Sequence, residues 1–379
     1  MKIKEIKLRL LFEAFPQPVR TGRGLMPGRD IILTEIDAGE CQVGLSYITG
    51  LHMGGGAEIK VILAALQEAL APMLLGEDPL YTQRLWHLMY KETKRFGRRG
   101  AVLRALSALD LALWDLVAKK ANLSITNLLG PMTDRLVAYA SGGQYGSDAD
   151  LVTEMERYLA QGFRAIKIRV GGASLARDTE RLQLVRSTVG DSVILMVDAG
   201  EAWDLQTAIK AATRWEHFDL AWIEEPLSAD LVSELREIRR RSTIPIAAGE
   251  SVYTRYAFRD FVDARALDVM QPDVTRLGGV TEWIRVAHLA SVYEGKLAPH
   301  GAQELHVPLM AAADRAYMVE LFDRQHPFQI LLDRIFPESN CATALEDGSV
   351  RVLAEPGFGL VVDWDAVQRY QVSEFAIRI

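Results

Sequence analysis

The chain has 379 residues, 49% of them hydrophobic and 25% charged, with a formal net charge of −7. That length fits one large domain plus a smaller one, and the acidic balance excludes a basic nucleic-acid surface. No apolar run approaches the roughly 18 residues of a membrane span, and two cysteines, Cys41 and Cys341, are too few for a disulfide framework, so a cytoplasmic setting is expected.

In chain order, the opening MKIKEIKLRLLFEAF alternates charged and apolar residues, which is the period of a strand and not of a signal peptide. DIILTEI and QVGLSYI follow as further strands of an antiparallel meander. Between the first two, TGRGLMPGRD reads as a mobile loop rich in glycine and arginine. A second glycine-rich stretch, LHMGGGAE (51–58), leads into helical segments EIKVILAALQEALAPMLL, PLYTQRLWHLMYKETK and VLRALSALDLALWDLVAKK.

Eight apolar, strand-like runs come next: LVAYAS (136–141), AIKIRV (165–170), VILMVDAG (193–200), AWIEEP (221–226), IPIAAGE (244–250), LDVMQPD (267–273), KLAPH (296–300) and YMVELF (317–322). Most end in charge: Lys167 and Arg169, Asp198, Glu224, Glu250, Asp273, His300 and Glu320. Successive ends are spaced by about one strand–helix unit, so eight units predict a closed parallel barrel. The side chains at the C-terminal strand ends of such a barrel converge on one mouth. More than 50 residues follow the eighth run and are expected to return to the N-terminal domain.

Asp198, Glu224 and Glu250 end consecutive units. Three carboxylates aimed at one point repel unless a cation sits among them, and an all-oxygen set suits Mg²⁺. Lys167 and Arg169 are two apart on a strand, so both point the same way. Their anionic partners are either these acids or a substrate carboxylate. Asp273 and His300 end neighbouring strands, where a carboxylate fixes the imidazole tautomer and makes a general base. A divalent ion, two cations and a base in one pocket suit proton abstraction next to a carboxylate, with the metal stabilising the enediolate.

At this point the chain resembles the enolase superfamily, specifically the mandelate racemase subgroup. KIR, VDAGEAW, WIEEP, GE, QPDVTRLGGVTE, PHG and MVE stand in that family's order and spacing over nearly the whole chain. The resemblance implies a modified TIM barrel, (β/α)7β, with an N-terminal α+β capping domain. The expected division is 1–130 for the cap, 131–335 for the barrel and 336–379 for a segment returning to the cap. It further implies Asp198, Glu224 and Glu250 as Mg²⁺ ligands and His300 with Asp273 as base and orienter. Glu320 and Lys167 would lie at the substrate carboxylate. Specificity would come from capping loops near 21–29 and 51–56, with Arg23 and His52 as candidate substrate contacts. The resemblance also suggests a homo-oligomer acting on a small carboxylate.

Two departures matter. The racemase carries a second lysine, the base for the opposite face, where this chain has Arg169, and a guanidinium is a poor base. Gly200 replaces an asparagine that contacts substrate there. The expectation is therefore an acid-sugar dehydratase acting on an aldonate or aldarate, with His300 as base. The alternative is a racemase or epimerase of a 2-hydroxy or amino acid, and a catalytically inert binding barrel is the third reading.

Overall fold

The structure, a computed structural model, describes residues 1–21, 24–39, 42–339 and 347–379, so Arg23, Cys41 and Cys341 lie outside the described residues. Strands β1 (Glu5–Thr21), β2 (Gly24–Asp37) and β3 (Val43–Gly50) pair antiparallel. Helices α1 (Ala57–Ala65), α2 (Thr82–Glu92) and α3 (Ala101–Lys120) follow. The uninterrupted apolar run in β2 reflects burial on both faces of this sheet. Ile32 and Ile36 pack with Leu106, Leu109 and Leu113 of α3, whereas Ile31 and Leu33 belong to the core shared with the barrel.

Within the loop expected over 21–29, residues 24–29 are instead strand, paired with β1. After Ala14↔Gly28 the pairing resumes at Val19↔Met26 and continues to Thr21↔Gly24. The skipped stretch holds Pro16 and Pro18, which have no N–H for the ladder. Burial holds the hairpin down: Phe15 and Met26 cluster with Phe322 and Phe328 of the barrel.

A short helix α4 (Ile125–Leu129) precedes the barrel. Its alternating elements are β4 (Arg135–Gly142), α5 (Asp148–Ala160), β5 (Ala165–Arg169), α6 (Leu175–Val189), β6 (Ile194–Asp198), α7 (Leu205–Trp215) and β7 (Leu220–Glu224). The series continues through α8 (Val232–Arg241), β8 (Ile246–Ala248), α9 (Thr254–Asp263), β9 (Val269–Met270), α10 (Gly279–Val292), β10 (Lys296–Leu297), α11 (Gln303–Met310) and β11 (Val319–Leu321). The eight strands are parallel and run in sequence order, with β11 pairing back onto β4. The ring closes where Leu297 of β10 bridges Ala316, just ahead of β11. Seven helices connect eight strands, which is the (β/α)7β arrangement. Ser147, Ser174 and Asp204 cap the first turns of α5, α6 and α7, so those helices begin directly after the strand ends.

Alternation along the strands separates two apolar layers. Tyr139, Ala165, Met196, Trp222, Ala247, Val269, Ala298 and Met318 fill the barrel interior, while Ile166, Ile168, Val197 and Ile223 meet the helices. After α12 (Pro327–Ile335), β12 (Ser349–Arg351) pairs antiparallel with β4. Helix α13 (Trp364–Tyr370) then leads into β13 (Gln371–Arg378), which pairs with β1 as the fourth strand of the N-terminal sheet. Among the described residues no helix is long and apolar enough to cross a membrane.

Buried polar groups on α3 fix the sheet and helices over the barrel. Asp110 accepts from the Thr281 N–H and hydroxyl at the start of α10, both at 2.8 Å. Asp115 accepts from Leu45 N at 2.7 Å, Phe358 N at 2.8 Å and Lys119 Nζ at 2.7 Å.

Glu250 follows Gly249, whose φ is +155°; a Cβ there would stand 2.6 Å from the Gln271 carbonyl carbon. Gly249→Ala is therefore expected to cost about 2–4 kcal/mol through forced separation of two strand ends. A thermal melt checks this, and an unchanged Tm would contradict the close approach.

Candidate active site

The strand register builds the site. Parallel pairing sets Arg169 level with Asp198, and Asp198 level with Glu224, on β5, β6 and β7. Lys167 lies one inward position deeper, over the barrel's apolar filling and beside the Tyr139 ring. Its buried ammonium meets Glu224 at 2.7 and 2.8 Å, Glu320 at 2.8 Å and Asp198 at 3.8 Å. Gln271 Nε2 and Trp222 Nε1 also donate to Glu224, at 2.6 and 3.2 Å.

Above this level Arg169 Nη1 bonds Asp198, whose other oxygen accepts from Gly200 N at 2.8 Å. Glu320 accepts from Gly301 N at 2.7 Å, which ties β11 to the turn that carries His300. His300 Nδ1 lies 2.9 Å from Asp273 and its Nε2 2.9 Å from Glu250. Asp273 also receives Thr275 N at 2.8 Å, Thr275 Oγ1 at 2.6 Å and Arg276 Nε at 3.0 Å. Arg276 reaches Glu250 as well, at 3.1 Å.

These contacts set the charges. Burial opposes ionisation of Asp273, but Arg276 and then His300 outweigh it and hold the carboxyl well below its usual range. Burial likewise opposes protonation of His300, yet Glu250, with help from Asp273 and against Arg276, holds the ring up to about 10. Glu224 is pushed upward by burial, against Lys167. Glu320 goes down, because Lys167 and His300 overcome its burial. Arg169 is buried too, but Asp198 and the other acids keep it firmly charged.

A cavity of about 210 Å³ lies over the mouth. Arg169, Asp198, Glu250, Asp273 and His300 reach its wall from the barrel, and Met26, Arg29, Tyr47 and Arg104 reach it from the other side. Lys167, Glu224 and Glu320 are sealed below and do not reach the wall. Of the expected residues, the structure thus gathers eight at one mouth. His52 is elsewhere: its Nδ1 faces Asp30 at 2.9 Å and its ring packs at a tilt against Phe12, while neighbouring Leu51 lines the cavity. Arg23 lies outside the described residues.

Arg276, Gln271 and His306 also carry site contacts, although none of them ends a strand-like run with charge. The first two sit beside Asp273 in the same QPDVTR segment, so their nearness to the strand end was the available signal. His306 accepts from Val274 N at 3.0 Å and donates to Gly301 O at 2.6 Å, joining the turns that carry Asp273 and His300. No local pattern marks that role.

The donor set suits a hard divalent cation. Among the described residues at the mouth, Asp198, Glu224, Glu250, Asp273 and Glu320 oppose only Lys167, Arg169 and Arg276 as permanent cations. Even with His300 protonated between Glu250 and Asp273, one negative charge remains unmatched, and buried charge is tolerated only when paired. As placed, the acids are turned to their protein cations, and among the described residues no group of three or more Asp, Glu, His or Cys is arranged around a metal position.

Residues 5–130 match the mandelate racemase / muconate lactonizing enzyme N-terminal domain, and residues 150–366 match the enolase C-terminal domain-like family. The chain is 33% identical over 352 residues to an arabinonate dehydratase of Saccharolobus solfataricus, spanning 90% of this chain and 91% of that one. It is 35% identical over 364 residues to a 3,6-anhydro-alpha-L-galactonate cycloisomerase of Streptomyces coelicolor, spanning 94% and 97%. The crystal structure of an L-talarate dehydratase from Polaromonas sp. JS666, complexed with Mg and L-glucarate, superposes with a TM-score of 0.87 at 32% identity, covering 100% of this chain and 99% of that one.

Lys167→Met removes the ammonium that Glu224 and Glu320 share. The expected cost is about 3–5 kcal/mol, the usual penalty for leaving one side of a buried ion pair uncompensated. Chemical denaturation measures it, and a loss within the range of a surface substitution would contradict the pairing.

Proposed function

The chain belongs to the mandelate racemase / muconate lactonizing enzyme family of the enolase superfamily, and we propose that it is a Mg²⁺-dependent acid-sugar dehydratase. Asp198, Glu224 and Glu250 are the residues that would hold the ion. When bound there, Mg²⁺ supplies Lewis-acid stabilisation of charge developing on the substrate carboxylate.

In its neutral form, with Nε2 released from Glu250, His300 takes the proton from the carbon next to the carboxylate through Nε2, and Asp273 fixes the tautomer by accepting from Nδ1. Arg169, with Lys167 beneath it, stabilises the enediolate charge. The bond from the β-carbon to its hydroxyl then breaks, and the hydroxyl takes a proton from the His300 imidazolium and leaves as water. The remaining enol tautomerises to a 2-keto-3-deoxy acid. Glu320 acts here through Lys167 and the Gly301 N–H, because it is sealed off from the cavity wall.

One observation carries this reading: the His300–Asp273 pair at 2.9 Å is opposed at the cavity by Arg169, a cation held firmly charged. A site with one proton-accepting face suits elimination, whereas inversion needs a base on each face. The likeness to a cycloisomerase favours an isomerase as the second reading, in which the enediolate is reprotonated without loss of water.

Replacing His300 by Asn should lower formation of 2-keto acid from the true substrate by about a thousandfold, within the range for removing a general base. Full retained activity would refute the assignment. Mg²⁺ should raise the Tm of the wild-type protein but act much less on Glu224→Gln, since an ion bound only by the native state stabilises it by mass action. Equal stabilisation of both proteins would count against Glu224 as a ligand.

A further inference from the structure

On the barrel side of the cavity each charged group touches an opposite charge, whereas on the other side Arg29 touches none among the described residues. Arg29, on β2, lines the cavity wall. Its Nε is shut off from solvent with no hydrogen-bond partner, and among the described residues it makes no ion pair. The guanidinium rests over the Phe328 ring at 5.1 Å, a contact that orients its plane without neutralising it. Arg104, from α3, lines the same cavity but is bonded to Glu58 and to the Thr49 carbonyl. Burial pushes Arg29 down to about 10; Arg104 and Arg276 add to that, while Tyr47 and the more remote Asp273 oppose it only in part.

A partly buried guanidinium facing a cavity with no carboxylate in contact is costly unless an anion arrives to meet it. The planar fork of donors matches a carboxylate in a two-point contact, and an alcohol cannot replace that contact. Arg29 reaches the cavity from the N-terminal sheet, whereas the His300–Asp273 pair and Arg169 reach it from the barrel. An anion met by Arg29 is therefore held from the N-terminal sheet and not by the barrel cations, which marks it as a second carboxylate and not the reacting one.

We propose that Arg29 binds a distal carboxylate, so that the substrate class is an aldarate, a sugar acid with a carboxylate at each end, and not an aldonate. The identity of the reacting end rests on the dehydratase reading; the requirement for an anion at Arg29 does not.

The test uses the Mg²⁺-loaded full chain and pairs of six-carbon acids of matched configuration: galactarate with galactonate, and glucarate with gluconate. Calorimetry reads binding and a 2-keto acid assay reads turnover, for wild type, Arg29→Met and Arg29→Lys, each checked for a native melt. At least one aldarate should bind about 100-fold tighter than its aldonate, and Arg29→Met should remove about that factor while changing aldonate binding by less than about threefold. Arg29→Lys should keep part of the preference, since it retains the charge but loses the fork. The proposal is overturned if no aldarate binds, if aldonates bind as tightly, or if Arg29→Met weakens both members of a pair equally. Arg29-dependent aldarate binding without any 2-keto product would support the proposal while defeating the dehydratase reading. Dehydration of an aldonate unaffected by Arg29→Met would do the reverse.

Discussion

The Lys167 ammonium, sealed among Glu224, Glu320 and Asp198, is the constraint on which the rest of the mouth depends. Five carboxylates at the ends of β6, β7, β8, β9 and β11 are tolerated together only because Lys167, Arg169 and Arg276 are interleaved with them. The interleaving is a direct product of parallel pairing: β5, β6 and β7 deliver Arg169, Asp198 and Glu224 at one level. The residual negative charge makes the site receptive to a divalent cation, while the protein cations hold the acids in place.

A second layer of contacts turns this balance into a directed base. Asp273 is held by Thr275 and Arg276, His306 joins the turns on either side of the dyad, and Gln271 and Trp222 fix Glu224 from β9 and β7. Gly249 lets the strand carrying Glu250 approach the Gln271 backbone closely. These residues touch one another more than they touch the cavity. They serve by removing freedom from His300 and the acids, which is how a site is made ready before substrate arrives.

The barrel and its polar mouth were legible in the sequence because both arise from local regularities. Apolar runs recur at the length of a strand–helix unit, and the charge falls at the end of the run, where a parallel barrel exposes it. Period-two alternation also placed Lys167 and Arg169 on the inward face of β5. The reach of the hairpin was not legible, because Phe15 and Met26 are held by Phe322 and Phe328, some three hundred positions along the chain, and the glycines and prolines in between imitate a loop. The placing of the His52 ring was not legible either: its glycine-rich surroundings suggest an open loop, but the ring lies against Asp30 and Phe12. Which strand-end acids reach the cavity and which are sealed beneath it is decided by side-chain depth, and sequence spacing carries no record of that.

The central claim is that one base at this mouth drives elimination. It is tested most directly by running the reaction on an acid sugar in D₂O and following it by NMR. The account predicts a 2-keto-3-deoxy acid carrying one deuterium at C3, formed with loss of water and without an inverted form of the substrate. Recovery of inverted substrate carrying deuterium at C2, with no keto acid formed, would contradict it.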